Sequence, residues 1–184
     1  MPSITQFDVQ DDRKLRNSLN RVQEKTFDGI FNGFLGAGEF IDSTGSTGHI
    51  LVGGKALALK YLSGADNSAE AMVRVDPNWI KGDLHVTIFY SGTSTSNNFK
   101  GKVHVTPIAV GEAVDSSETT VTEDLIPPGT TKLLLSHLFN PFPMDANDSM
   151  FTIRVERAGT SESPANSGDF YLFAIGWRFY ASRI

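Results

Sequence analysis

The chain has no cysteine, which excludes a disulfide framework, a thiolate nucleophile and any cysteine-based zinc site. Basic residues are in deficit: 16 Lys+Arg against 21 Asp+Glu leave a formal net charge of -5. Without a basic patch to offset that balance, nucleic acid is not expected as a partner. No apolar run is long enough to span a membrane as a helix, and the opening Met1-Pro-Ser-Ile-Thr-Gln-Phe-Asp8 has neither the basic start nor the apolar centre of a secretory signal. No membrane partner is expected, and the chain is expected to be made in soluble form. Histidine is scarce, with four in the chain: His49, His85, His104 and His137. No His-x-His or His-Glu-x-x-His spacing joins them, and His85 and His104 sit mid-strand, where hydrogen-bonded or solvated imidazoles are commoner than metal ligands.

The signatures of catalysis are missing too. There is no Gly-x-Ser-x-Gly nucleophile turn, and spacing gives no reason to pair any two of Glu70, Asp83, Glu112, Glu123 and Asp169 across a cleft. Asp145-Ala-Asn-Asp148 is rich in oxygen ligands but lacks the helix-loop spacing of an EF-hand, and reads as a solvated loop. Gly53-Gly54-Lys55 lacks the remainder of a phosphate loop and reads as a hairpin turn. No enzyme, metal or cofactor is expected.

What is present is β-structure. Gly168 to Tyr180 is almost wholly aromatic, β-branched or aliphatic, with only Asp169 and Arg178 charged, and predicts a strand. Strict alternation would put Phe170, Leu172, Ala174 and Gly176 on one face and Tyr171, Phe173, Ile175, Trp177 and Phe179 on the other. Both faces then need cover, from a second sheet or from a neighbouring subunit, which makes Trp177 an interface candidate. Further strands are predicted over His49–Val52, Ala56–Leu62, Ala69–Val75, Asp83–Ser91, Lys100–Ile108, Glu118–Glu123, Thr131–Leu138 and Met150–Arg157. Leu84, Val86 and Ile88 alternate with His85, Thr87 and Phe89, and Phe151, Ile153 and Val155 alternate with Thr152, Arg154 and Glu156. A period of two with one polar face predicts an all-β fold, an antiparallel jelly-roll-like β-sandwich.

The N-terminal part differs. Residues 1–10 read as an extended arm. From Asp11 or Asp12 to about Thr26 the composition is helical, with Leu15, Leu19 and Val22 forming a narrow stripe suited to a coiled-coil seam, to shallow docking or to a surface helix of the same domain. Beyond it, Gly29, Gly33, Gly36 and Gly38 oppose a long helix, and we expect a short helix that breaks into turns. Phe27, Ile30, Phe31 and Phe34 within it are interface candidates. The chain of 184 residues is accordingly divided into an arm and helix for docking or oligomerisation, 1–41, and a sandwich, 42–184.

The block from Ala71 to Tyr180 resembles a β-sandwich module of tailed-bacteriophage structural proteins. The resemblance rests on an apolar strand leading to Pro77 and Trp79, Gly82-Asp83 before Leu84-His-Val-Thr-Ile-Phe-Tyr-Ser, and the small-residue loop Gly92 to Asn98. It continues through Pro127-Pro128-Gly129-Thr130, Thr152-Ile-Arg-Val-Glu-Arg-Ala-Gly, and Gly168-Asp-Phe-Tyr-Leu with the final Trp177-Arg-Phe-Tyr180. The loop 158–167 departs from the family in lacking its frequent aspartate. The resemblance implies a virion part, a capsid decoration (cement) protein or a tail component, partnered with other virion proteins and usually trimeric. The alternative from the residues is a glycan- or receptor-binding module of a fibre or spike, with aromatics near loops or strand ends as stacking platforms: Trp79 and Phe99 first, then Tyr90, Phe139 and Phe142. For any one of these five, closing the sandwich ends is the commoner role.

Overall fold

The computed structural model describes residues 30–43, 47–62, 66–75, 82–113, 117–145, 147–158 and 167–180. Among these residues eleven strands run in chain order: β1 (Ile30–Gly36), β2 (Ile41–Asp42), β3 (Thr47–Val52), β4 (Ala56–Tyr61), β5 (Asn67–Arg74), β6 (Leu84–Gly92), β7 (Phe99–Ala109), β8 (Thr119–Leu125), β9 (Leu135–Leu138), β10 (Asp148–Ala158) and β11 (Phe170–Tyr180). They form two antiparallel sheets. The first has the order β3-β4-β11-β6-β9 with β1 also paired to β11, and the second has the order β2-β5-β10-β7-β8. The jelly-roll-like sandwich expected from the alternation is the fold.

Three expectations are corrected. In the glycine-rich stretch read as a short helix, Ile30–Gly36 forms β1, paired with β11 from Ile30↔Tyr180 to Gly36↔Ala174; among its described residues only Ala37–Glu39 makes a 3-10 turn. Tertiary pairing prevails because an edge strand tolerates glycine where a neighbouring side chain fills the gap. Here that side chain is the Trp177 indole, which lies over Gly33 so closely that a Cβ there would sit inside it. The strand predicted over Thr131–Leu138 is confined to β9, because residues 130–133 form a turn closed by Leu133 N–H donating to the Thr130 carbonyl at 3.2 Å. The third correction concerns β11. Pairing with β6 slips between Leu172↔Tyr90 and Ala174↔Phe89, a β-bulge that gives one extra residue to β11. Phe170 and Leu172 before it, and Ile175 and Phe179 after it, all belong to the core, with Trp177 packed against them. The uninterrupted alternation read from the sequence would have sent one of those two groups outward.

The core lies between the sheets. Phe170 is its hub, with ring centroids of Tyr61, Tyr90 and Phe99 at 5.5, 5.4 and 5.4 Å. The Tyr61 hydroxyl crosses the sandwich to donate to the Val155 carbonyl at 3.2 Å, and burial pushes its pKa up. Arg157, 2% exposed, closes the same end: Nη1 donates to the Leu62 carbonyl at 2.9 Å, and its guanidinium carbon lies 5.5 Å from the Phe99 ring centroid, a cation–π distance. Desolvation lowers the Arg157 pKa, with the charge of Asp169 opposing. Gly53 and Gly54, at φ +62° and +71°, make the β3–β4 hairpin turn that the sequence predicts at Gly53-Gly54-Lys55.

Candidate functional site

The two outer faces of the sandwich differ in kind. Across β7, β8 and β10 the outward side chains are paired charges. Lys100 Nζ lies 2.7 Å from Asp124, Lys102 Nζ 3.1 Å from Glu156, and Arg154 Nη2 2.8 Å from Glu118. His104 sits between two of these pairs, with Nδ1 2.8 Å from Glu118 Oε1 and Nε2 3.1 Å from Glu156 Oε2. His137 bonds to Glu123 at 2.6 Å and His49 to the Ala37 carbonyl at 2.8 Å, so these three imidazoles are hydrogen-bonded within the chain, as the mid-strand placement of His104 suggested for that residue.

The outer face of the other sheet is apolar and hollowed. One hollow of about 530 Å³ is lined by Phe34, Val52, Gly53, Ala56, Phe89, Lys132, Leu134, Phe173 and Ala174. A second, of about 240 Å³, is lined in part by Phe34, Phe89, His85, Thr87, Gly176 and Arg178. Phe34 and Phe89 belong to both, so the hollows are two lobes of one trough.

Strand order explains the trough. β1 and β6 flank the C-terminal half of β11, which places them about 10 Å apart. Phe34 of β1 and Phe89 of β6 nevertheless bring their ring centroids to 6.0 Å, tilted by 52°, because the β11 residues between them are Ala174 and Gly176, too small to hold the rings apart. The bulge adds the third wall: the extra residue lets both Phe173 and Ala174 line the trough, where regular alternation would present only one of them. Phe34 remains 64% exposed, so folding leaves most of its surface open to solvent.

The polar groups stand at opposite ends. In the smaller lobe, burial lowers the His85 pKa, the Arg178 charge lowers it further and Asp83 opposes them. At neutral pH the imidazole is therefore mostly uncharged. At the rim of the larger lobe, Lys132 holds φ +66°, a left-handed conformation costing on the order of 1 kcal/mol for a residue with a Cβ. Its N–H donates to the Gly92 carbonyl at 3.0 Å, which ties the turn to the end of β6.

Of the residues singled out in the sequence, Phe34 lies in the trough. Phe99 does not: at 1% exposure it is a core ring against Phe170, and the platform reading is corrected, because the strand end that carries it folds inward beneath Arg157. Tyr90, Phe139 and Phe142 are buried likewise. Trp177 packs edge-on to Phe151 and Phe179 and, partly buried, also borders the smaller lobe. Ile30 and Phe31 place their backbone in β1, opposite Tyr180 and Phe179. Leu15, Leu19, Val22, Phe27 and Trp79 lie outside the described residues. Sequence reasoning missed Phe89, Phe173, Lys132 and Arg178 as a set. Its available signal was Phe89, an aromatic at an outward position of an otherwise polar strand face.

No family model matches the sequence, and no curated protein matches it. Solved structures do match by shape. The C-terminal CBM6 of LamC, a marine laminarinase from Zobellia galactanivorans, superposes with a TM-score of 0.52 at 9% identity, covering 80% of this chain and 98% of that one. The CBM36-1 domain of a multidomain xylanase from the hindgut metagenome of Trinervitermes trinervoides gives 0.50 at 9% identity, over 80% and 96%. An exo-β-1,3-galactanase from Phanerochaete chrysosporium, solved with galactose, gives 0.54 at 13% identity; 80% of this chain is covered, but it spans 29% of that enzyme. At these identities the likeness concerns the fold, a jelly-roll β-sandwich of the kind found in carbohydrate-binding modules.

Proposed function

We propose that this chain is a non-catalytic glycan-binding module and that the trough on the β1–β11–β6 face is its binding site. The observation that carries the reading is the Phe34–Phe89 pair, solvent-open above a floor of Ala174 and Gly176. Flat apolar rings with a few convergent polar groups suit a sugar ring, which has apolar C–H faces and hydroxyl edges. Glycoside hydrolysis calls for two carboxylates about the scissile bond, and among the described residues lining the two lobes there is none. The fold likeness supports this reading over capsid decoration. The decoration reading keeps one favouring observation: Leu134 in the larger lobe and Leu133 and Leu138 near it in the chain are exposed, as a protein-docking surface would be.

The test is an oligosaccharide array probed with the full chain, followed by calorimetry on the best ligand with Phe34→Ala. Loss of one stacking ring is expected to weaken binding about tenfold, or ~1.4 kcal/mol, with folding stability changed by no more than about 0.5 kcal/mol because the ring is exposed. An array without binding, together with a stable complex on a viral shell, would shift the trough to the docking role.

A further inference from the structure

Resting on the glycan-binding reading, we infer that the larger lobe takes a methyl group carried by the sugar, so that the ligand is a 6-deoxyhexose or an O-acetylated residue and not a fully hydroxylated one. The two lobes differ in polarity. Of the nine described residues that line the larger one, seven have side chains of carbon and hydrogen alone, Gly53 has none, and Lys132 is the one polar side chain. The polar side chains of Thr87, His85 and Arg178 border the smaller lobe instead.

Backbone groups at the mouth of the larger lobe are committed to their own turns. The Val52 carbonyl accepts from Lys55 N–H at 3.3 Å, the Leu51 carbonyl from Gly54 N–H at 3.2 Å, and Lys132 N–H donates to the Gly92 carbonyl at 3.0 Å. A sugar hydroxyl turned toward Phe34, Val52, Phe89 and Phe173 would give up water for side chains that cannot hydrogen-bond, and desolvating an unpaired polar group is costly. A methyl in the same place gains by leaving water.

Size and exposure agree with this. The larger lobe, about 530 Å³ against about 240 Å³ for the smaller, has room for a substituent beside a ring stacked on Phe34 and Phe89. Phe34 and Leu134 are 64% and 57% exposed, an apolar surface that such a group would cover. In a 6-deoxyhexose the exocyclic carbon has lost its oxygen and is a methyl at the edge of the ring. An O-acetyl ester ends in a methyl farther out. Both offer the lobe the same chemistry.

The experiment is an NMR titration of the full chain with matched ligands: L-fucose against L-galactose, L-rhamnose against L-mannose, and O-acetylated xylan oligosaccharides against the same material after alkaline deacetylation. The methyl-bearing member of at least one pair is expected to bind about tenfold more tightly, or ~1.4 kcal/mol. The deoxy pairs and the ester pair tell the two sources apart. Val52→Thr, which keeps the shape of the side chain and adds a hydroxyl to the wall, should cut that ratio to about threefold, and Leu134→Ser should also lower it. A ratio that neither variant changes overturns the assignment to the larger lobe. Equal binding within every pair, or tighter binding of the hydroxylated members, overturns the inference and leaves the glycan-binding reading standing. Binding to none of the pairs overturns the inference, and an oligosaccharide array without binding overturns the glycan-binding reading as well.

Discussion

Two residues show how local chemistry shapes this face. Gly33 is required by contact: the Trp177 indole occupies the space where a side chain would begin. Gly33→Ala is expected to destabilise the fold by about 1–3 kcal/mol, as overpacking does, which urea unfolding would measure; an unchanged midpoint would mean the indole moves aside freely. His85 makes a different prediction. Its folded pKa lies below the ordinary 6.5, first through burial and then through the Arg178 charge. The unfolded chain therefore binds the proton more readily, so this group has no effect on stability well above pH 6.5 and destabilises the fold as pH falls below that value, levelling off beneath the folded pKa. An NMR titration should place its midpoint under 6.5, and a midpoint at or above 6.5 would contradict the desolvation account.

At the scale of the element, β11 organises the molecule. It receives β4 at Phe170–Leu172, β1 at Ala174–Tyr180 and β6 along most of its length. Its bulge does two things at once. It restores the parity that keeps Phe170, Leu172, Ile175 and Phe179 in the core, and it supplies two adjacent residues to the trough. Phe173→Ala should therefore fold, leaving a trough with one wall missing. Deleting Phe173 should also leave a folded sandwich, because β11 without its extra residue alternates regularly and still turns Phe170, Leu172, Ile175, Trp177 and Phe179 to the core. Circular dichroism of the two variants checks both outcomes, and an unfolded deletion would show that the core depends on the bulge itself rather than on the parity of the strand.

For the whole molecule, the sandwich has one shared core rather than two halves. Phe170 of one sheet packs against Phe99 of the other, the Tyr61 hydroxyl reaches the Val155 carbonyl, and Arg157 is anchored on the Leu62 carbonyl. Unfolding is expected to be a single cooperative transition. Strand content by circular dichroism and the fluorescence of Trp177 in a Trp79→Phe background should give coincident midpoints, and separated midpoints would show that the β1–β11 edge opens on its own. The contrast between an ion-paired outer face and an aromatic one also belongs to this scale. A satisfied charge ladder has little left to offer a ligand, whereas exposed rings over small residues do.

Much of this fold was legible in the sequence, because a period-two pattern with one apolar face dictates which side of a strand is buried regardless of its partners. Leu84, Val86 and Ile88, like Phe151, Ile153 and Val155, point inward as the alternation requires. The Gly-Gly hairpin was legible for the same local reason, since positive φ at two successive positions is a demand that glycine meets by itself. The trough was not. Phe34, Phe89 and Phe173 lie on three strands far apart in the chain, and what joins them is strand order, the small residues Ala174 and Gly176 on the intervening strand, and a bulge whose position depends on pairing with β6. None of these is a property of any single segment. The sequence determined which residues would avoid water. Tertiary pairing decided which aromatic rings would be left facing it, because register and strand neighbours, rather than local composition, set what stands beside each ring.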